Sequence, residues 1–291
     1  MVTGLLSTMV KKKIQIQNNS SEKYIPEEKH LSIQLSLDGF SFCIVNEISN
    51  KIGSLHYRSF PDYTYTPDKH LKFVEEVFKT EPLLNKKYNS VNITHVNDLS
   101  SLVPKALFDE NNLPGYLKYG HKIYRNDFIT FDTIPNHDMI NVYIPFVNIN
   151  NYFLEKFGSF DYEHASTVFV KNLLDTYKFI EHPHIFVMVD HEHFEILAIA
   201  DNNFQLYNSF KYKTPEDFIY YLLFTAEQLN FNPKEFELIF LGKTVANDPI
   251  YQIAFKYVKN ISFLEVRNKR NLKEEITKDL QRQYFTLLHQ Y

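Results

Sequence analysis

The same short landmarks recur in the same order in the two halves of the chain. An apolar, strand-like run ends on an aspartate at Asp38 and again at Asp190. A Tyr-x-Ser-Phe follows at Tyr57 to Phe60 and at Tyr207 to Phe210. A Thr-Pro dipeptide then opens a helical pattern at Thr66-Pro67 and at Thr214-Pro215. The interval from Val96 to Pro104 equals that from Leu241 to Pro249. Each landmark is weak alone, but the shared order points to duplication, and a repeat binds both copies to one structural plan. The plain alternative is two unrelated βββαβ stretches.

The second half spells out that plan. His184 to Val189, Phe194 to Ala200 and Phe204 to Phe210 are apolar runs, and Asp201-Asn202-Asn203 is a tight-turn sequence between the last two. Thr214 offers an N-cap oxygen, and Pro215 suits the first helical position, where no N–H is needed. A strand over Phe236–Leu241, a helix from Asp248-Pro249, a strand over Ile261–Val266 and an amphipathic helix over Asn271–His289 complete the order βββαβαβα. In the first half, Leu31–Leu37, Phe40–Glu47 and Gly53–Phe60 read as strands. A helix follows from Thr66 to Lys79 and a strand over Tyr88–Val96. Pro104 opens a short helical stretch, Met139–Pro145 is a strand, Asn148–Phe157 a helix, and Glu163–Phe179 a longer helix leading into the second half. The expected organisation is a mobile tail over residues 1–28, a first lobe over 29–162, and a second lobe with its C-terminal helix over 163–291. A membrane-surface or partner-binding tail is the sharper alternative to a merely mobile one.

A formal net charge of −4 gives no broad attraction to nucleic acid or anionic membrane, although a local basic face stays open. One cysteine, Cys43, excludes an intrachain disulfide and a thiolate metal cluster, and a reducing compartment is the simplest setting. It lies in the apolar run Phe42-Cys43-Ile44-Val45, where a buried structural thiol is expected rather than a nucleophile. No apolar run reaches the ~18 residues of a membrane span, and the stretch before Lys11-Lys12-Lys13 has the charge order of no secretory signal. The expectation is a cytoplasmic protein. Lys269-Arg270-Asn271-Leu272-Lys273 is basic, but Glu274 and Glu275 follow at once, so a solvated helix start is expected there.

A duplicated βββαβαβα lobe with an aspartate at each first hairpin resembles the actin-like ATPase fold, an α/β architecture of two ribonuclease-H-like lobes. More closely, Leu31-Ser-Ile-Gln-Leu-Ser-Leu-Asp-Gly-Phe-Ser-Phe-Cys43, Leu102-Val-Pro-Lys-Ala-Leu-Phe108 and the strand set from Ile185 to Phe210 resemble the bacterial domain-of-unknown-function family 3822. The resemblance runs over roughly residues 30 to 270. It implies the fold and no particular activity, and function has to be read from the site.

Actin-like ATPases hold phosphate with backbone N–H groups of glycine-rich hairpins, where a missing Cβ lets the backbone approach the anion. This chain has 7 glycines, no two adjacent. The cleft candidates are Asp38, Gly39, Asp190, Gly242 and Lys243. In Asp38-Gly39-Phe40-Ser41 the glycine comes one place early and Phe40 is expected to crowd the hairpin. Asp190-His191-Glu192-His193 has a carboxylate and two imidazoles where glycines are usual. Leu241-Gly242-Lys243-Thr244 keeps one glycine of a pair. His191 and His193 invite a metal, as do His182 and His184, but each pair supplies two ligands without a third, and solvated turn histidines are the preferred reading. The expectation is therefore no cofactor, no metal and no catalysis: an actin-like scaffold that binds a protein partner, its oligomeric state open. The alternatives are an ATPase or small-molecule kinase with divergent phosphate loops, and an RNA-associated accessory factor without direct nucleic-acid contact.

Overall fold

In each half of the chain three apolar runs pair as an antiparallel meander, and two later strands join it in parallel. The computed structural model describes residues 13–16, 25–60, 66–191, 193–267 and 270–290. The first half contains β1 (Lys13–Ile16), β2 (Lys29–Ser36), β3 (Gly39–Asn46), β4 (Lys51–Ser59), α1 (Pro67–Thr80), β5 (Ser90–Val96), β6 (Ser100–Pro104) and α2 (Leu113–Leu117). It continues through β7 (Thr130–Ile134), β8 (Met139–Tyr143), α3 (Val147–Phe157), β9 (Asp161–His164) and α4 (Ala165–Thr176). The second half contains β10 (His184–Val189), β11 (His193–Ala200), β12 (Asn203–Lys211), α5 (Pro215–Gln228), β13 (Glu237–Gly242), α6 (Pro249–Tyr257) and β14 (Asn260–Phe263). The chain then forms β15 (Asn271–Leu272), α7 (Lys278–Gln283) and α8 (Phe285–Leu288).

The core of the first sheet runs β4-β3-β2-β5-β9, and the second runs β12-β11-β10-β13-β14. Strand directions match step for step: two antiparallel pairings, then two parallel ones. The expected pairs of landmarks fall on equivalent elements. Thr66 caps α1 through Lys69 N, and Thr214 caps α5 in a reciprocal arrangement with Asp217. One landmark does not. Pro104 ends β6 and opens the expected short helical stretch, a single 3-10 turn over Lys105–Leu107, whereas Pro249 opens α6; the helix corresponding to α6 is α3, reached only after a separate sheet ordered β6-β8-β7. The equal intervals before Pro104 and Pro249 are a coincidence.

Alternation along the strands decides which layer covers which face. Leu31, Ile33, Leu35, Phe40, Phe42 and Ile44 meet α1 and α3 on the outer side of the first sheet. Ile185, Val187, Phe194, Ile196 and Leu238 meet α5 and α6 on the outer side of the second. The inner faces sandwich the remaining helices. Phe169, Val170, Leu173 and Leu174 of α4 pack on Phe186, Leu197, Ile239 and Leu241. Tyr284, Leu287 and Leu288 pack on Cys43, Val45, Leu55 and Tyr57. Thus the helix that leaves the first sheet covers the second, and the last segment of the described chain returns to the first. Gln290 Nε2 donates to Ile33 O at 2.9 Å, and Thr286 Oγ1 donates to Gln34 Oε1 at 2.5 Å.

Three expectations need correction. Within the expected tail, residues 13–16 form β1, whose apolar-polar alternation pairs with the outer edge of β4; residues 1–12 and 17–24 lie outside the described residues. The single helix expected over Asn271–His289 is instead β15, which pairs in parallel with β4, followed by two short helices that meet at Tyr284. The helix expected from Glu163 starts at Ala165, because Asp161–His164 pair with β5 and His164 caps the helix through Ser166 N.

Candidate functional site: an interlobe cleft bridged by a lysine

The parallel strands β2, β5, β10 and β13 bring their C-terminal ends to one cleft between the lobes. The hairpin after β2 carries Asp38, and the residue after β10 is Asp190. β13 ends at Gly242, where φ is +89°. A Cβ there would lie 2.2 Å from Val189 O, so only glycine fits beside the neighbouring strand. Lys243 N then donates to Val189 O at 2.7 Å, and its side chain crosses the cleft. Lys243 Nζ lies 2.7 Å from Asp38 Oδ2 and 2.7 Å from Asp190 Oδ1. One ammonium joins the first hairpins of both lobes.

The surroundings fix this triad. Ser36 Oγ donates to Asp38 Oδ1 at 2.5 Å. His191 N donates to Asp190 Oδ1 at 2.6 Å, and Tyr212 OH to Asp190 O at 2.7 Å. Burial by itself would depress the Lys243 ammonium, but Asp190 and Asp38 outweigh it and hold its pKa above the ordinary lysine value. Burial would likewise raise Asp38, yet Lys243 prevails and keeps its carboxyl below the usual range. The lysine side chain is 19% exposed and Asp38 32%, so the pair is screened on one side only. Tyr57 and Tyr284 lie nearby, and burial pushes the Tyr57 phenol up to about 12.

The sequence candidates Asp38, Gly39, Asp190, Gly242 and Lys243 therefore meet in one place, but the glycines have packing reasons to be there. A Cβ on Gly39 would lie 2.7 Å from Tyr57 Cε2. Phe40 does not crowd the hairpin. Strand alternation turns it outward, 1% exposed, into edge contact with Phe42 and Phe78. Glu192 lies outside the described residues. Two described backbone donors of the second hairpin are spent internally: Asp190 N bonds His193 O, and His191 N bonds the Asp190 carboxylate.

His191 and His193 diverge. His191 Nε2 reaches to 3.5 Å from Asp38 Oδ2 across the cleft, whereas His193 sits near enough to Asp98 and His164 to perturb both. Among the described residues no group of three or more His, Cys, Asp or Glu side chains could hold a metal ion. His182 and His184 lie at the opposite end of β10, with His184 Nδ1 2.8 Å from His182 O. Burial pushes the Cys43 thiol up to about 12, so it carries no thiolate at neutral pH. Ser36, Tyr57 and Tyr212 were not among the sequence candidates; only Tyr57, through its Tyr-x-Ser-Phe landmark, left a signal. A further interlobe ion pair, Lys211 Nζ to Asp98 Oδ2 at 2.8 Å, was also not foreseen. A cavity of about 670 Å³ opens at the other end of the strands, between β6 and the β11–β12 turn, and holds none of these residues. Among the described residues no helix is long and apolar enough to cross a membrane.

Two lobes of matching topology around one cleft define the actin-like ATPase fold. A crystal structure from Bacteroides thetaiotaomicron, a protein with actin-like ATPase fold and unknown function, matches with a TM-score of 0.74 at 22% identity, covering 88% of this chain and 95% of that one. A chain of a PilM–PilN type IV pilus biogenesis complex matches with a TM-score of 0.58 at 8% identity, covering 91% of this chain and 98% of that one. The chain belongs to the family described as "Protein of unknown function (DUF3822)", whose model matches residues 18–261. No curated protein sequence matches it.

Proposed function

We propose that this protein is a non-catalytic actin-like scaffold that binds a protein partner, and that Lys243 takes the place a Mg²⁺-nucleotide has in active members of the fold. The observation that carries this reading is the pair of 2.7 Å contacts from Lys243 Nζ to Asp38 and Asp190. Carboxylates at equivalent hairpins are the groups that would approach a divalent cation, and here an ammonium on the same chain neutralises them. It is tethered, so it competes at a high effective concentration with any free ion. A phosphate entering the cleft would meet two carboxylates, an ammonium already paired twice, and the Asp190 and His191 amides already bonded. Phosphoryl transfer depends on positioning and charge stabilisation by such donors, and without them catalysis has no support.

Bound shut in this way, the lobes present a fixed surface to a partner. The pilus-complex chain of the same fold is itself found in an assembly of two proteins, PilM and PilN. Affinity purification of the full chain from its native cell, with and without nuclease, tests the reading. A stoichiometric protein partner that survives nuclease supports it. Recovery of partners only through nuclease-sensitive material would refute it.

A further inference from the structure

We infer that the outward face of the excursion between β6 and β7 binds single-stranded nucleic acid, at a site independent of the cleft and of the function proposed above. The excursion, residues 105–129, packs on the β6-β8-β7 sheet through its inward side chains. Leu117 is fully buried with Val103, Ile140 and Val142, and Leu113, Tyr116, Ile123 and Ile129 pack around them. Those contacts are enough to fasten it. They leave Tyr119 88%, Tyr124 62% and Phe128 51% exposed. Three large aromatic side chains held in water along one short segment contribute nothing to the core, and such patches mark interaction surfaces.

Charge says what kind of partner fits. Lys118, Lys122 and Arg125 are exposed among these rings, and no carboxylate occurs from Leu113 to Asn126. The next one, Asp127, is half-buried and accepts from Tyr124 N at 2.7 Å, so it offsets one of the three cations and leaves a surplus of positive charge. On a chain of net charge −4 this is a locally basic face. Lys118 Nζ stands 4.8 Å from the Tyr119 ring centroid, and Lys122 Nζ 5.1 Å from that of Tyr124. Each of these two exposed rings stands beside a cation. A nucleotide of a single strand presents the complementary set, a flat base to stack and a phosphate to neutralise. A duplex hides its base faces, so single strands are preferred. An anionic membrane shares the charge but not the need for open ring faces, and rings carrying an ammonium are poorly suited to burial in hydrocarbon.

The probe is a fluorescein-labelled oligouridylate of about 20 nucleotides, titrated with the full chain and read by anisotropy. Three phosphate contacts predict a slope of about −2 in log K against log salt, a weakening of about 20-fold between about 50 and 200 mM salt. Tyr119→Ala combined with Tyr124→Ala weakens binding at least about tenfold at unchanged circular dichroism. Lys118→Gln combined with Lys122→Gln flattens the salt slope to about one third. Absence of binding at the lower salt overturns the inference, as does binding indifferent to the tyrosine pair. Stronger retention on phosphatidylserine-containing vesicles than on the oligonucleotide, lost in the same variants, would assign the face to membranes instead and also overturn it.

Discussion

Replacing Lys243 by methionine keeps the side chain's reach and removes its charge. Both carboxylates lie 2.7 Å from one nitrogen, so the contacting oxygens of Asp38 and Asp190 are no farther apart than twice that distance. Two like charges about 5 Å apart repel by about 3 kcal/mol at an effective dielectric of about 20. Solvent screening at the partly exposed Asp38 reduces this to about 2 kcal/mol. The expected loss of stability near about pH 8 is therefore about 2 kcal/mol. It should shrink on acidification to about pH 5, because the bare pair takes up a proton that the lysine-paired wild type does not. Millimolar Mg²⁺ should restore much of it by filling the vacated position. Urea unfolding followed by circular dichroism at both pH values, with and without Mg²⁺, measures all three effects. An equal loss at both pH values and indifference to Mg²⁺ would show that the lysine stands there for packing alone.

Three further predictions follow from buried groups. Gly242→Ala sets a Cβ against Val189 O at a left-handed backbone position and should cost about 3 kcal/mol or more in urea unfolding; a loss below about 1 kcal/mol would contradict the close approach. Burial lowers the pKa of His30 and His70 to about 4 and of His95 and His164 to about 3. These imidazoles stay neutral in the folded protein while the unfolded chain protonates them below about pH 6.5. Their contribution is full above that pH and falls as pH drops, by up to about 1.4 kcal/mol per unit and per group; His95→Gln should therefore lessen the loss of stability between about pH 7 and 5.5, and a profile it leaves unchanged refutes the burial of His95. Burial pushes Glu195 up to about 8, its hydrogen bond with Tyr207 notwithstanding. Its contribution is present below the unfolded value near 4.5 and is lost as pH rises toward the folded one. Glu195→Gln should therefore stabilise the protein by about 2 kcal/mol at about pH 7 and by little at about pH 5, and a pH-independent effect would count against it.

The repeated plan was legible because strand ends coincide with local chemistry. Aspartate turns, the Asp201-Asn202 hairpin and the Thr-Pro helix starts are decided by backbone preferences within a few residues. Of the sheet of β6, β7 and β8, only β8 was legible, as the strand expected over Met139–Pro145. β7 reads Thr-Phe-Asp-Thr-Ile, and its half-buried Asp132 is accommodated because His164 N, Thr167 Oγ1 and Tyr143 OH all donate to it. The break between α7 and α8 was hidden for a similar reason: the amphipathic period continues past Tyr284, and packing beneath the first sheet bends the chain. Asp38 and Asp190 could be named from their hairpins, whereas the role of Lys243 depends on a partner 205 residues away, which no local pattern encodes. Phe40 was misplaced because its neighbourhood in sequence is the hairpin, while the pleat of β3 sends its ring to the opposite side.

The central claim is that an ammonium has replaced the metal-nucleotide in this cleft. Calorimetric titration of Mg·ATP and Mg·ADP into the full chain, paired with a phosphate-release assay, tests it most directly. The account predicts no saturable binding into the millimolar range and no phosphate release from the wild type. Micromolar binding with turnover that Asp38→Ala or Asp190→Ala abolishes would contradict it and make the protein an ATPase.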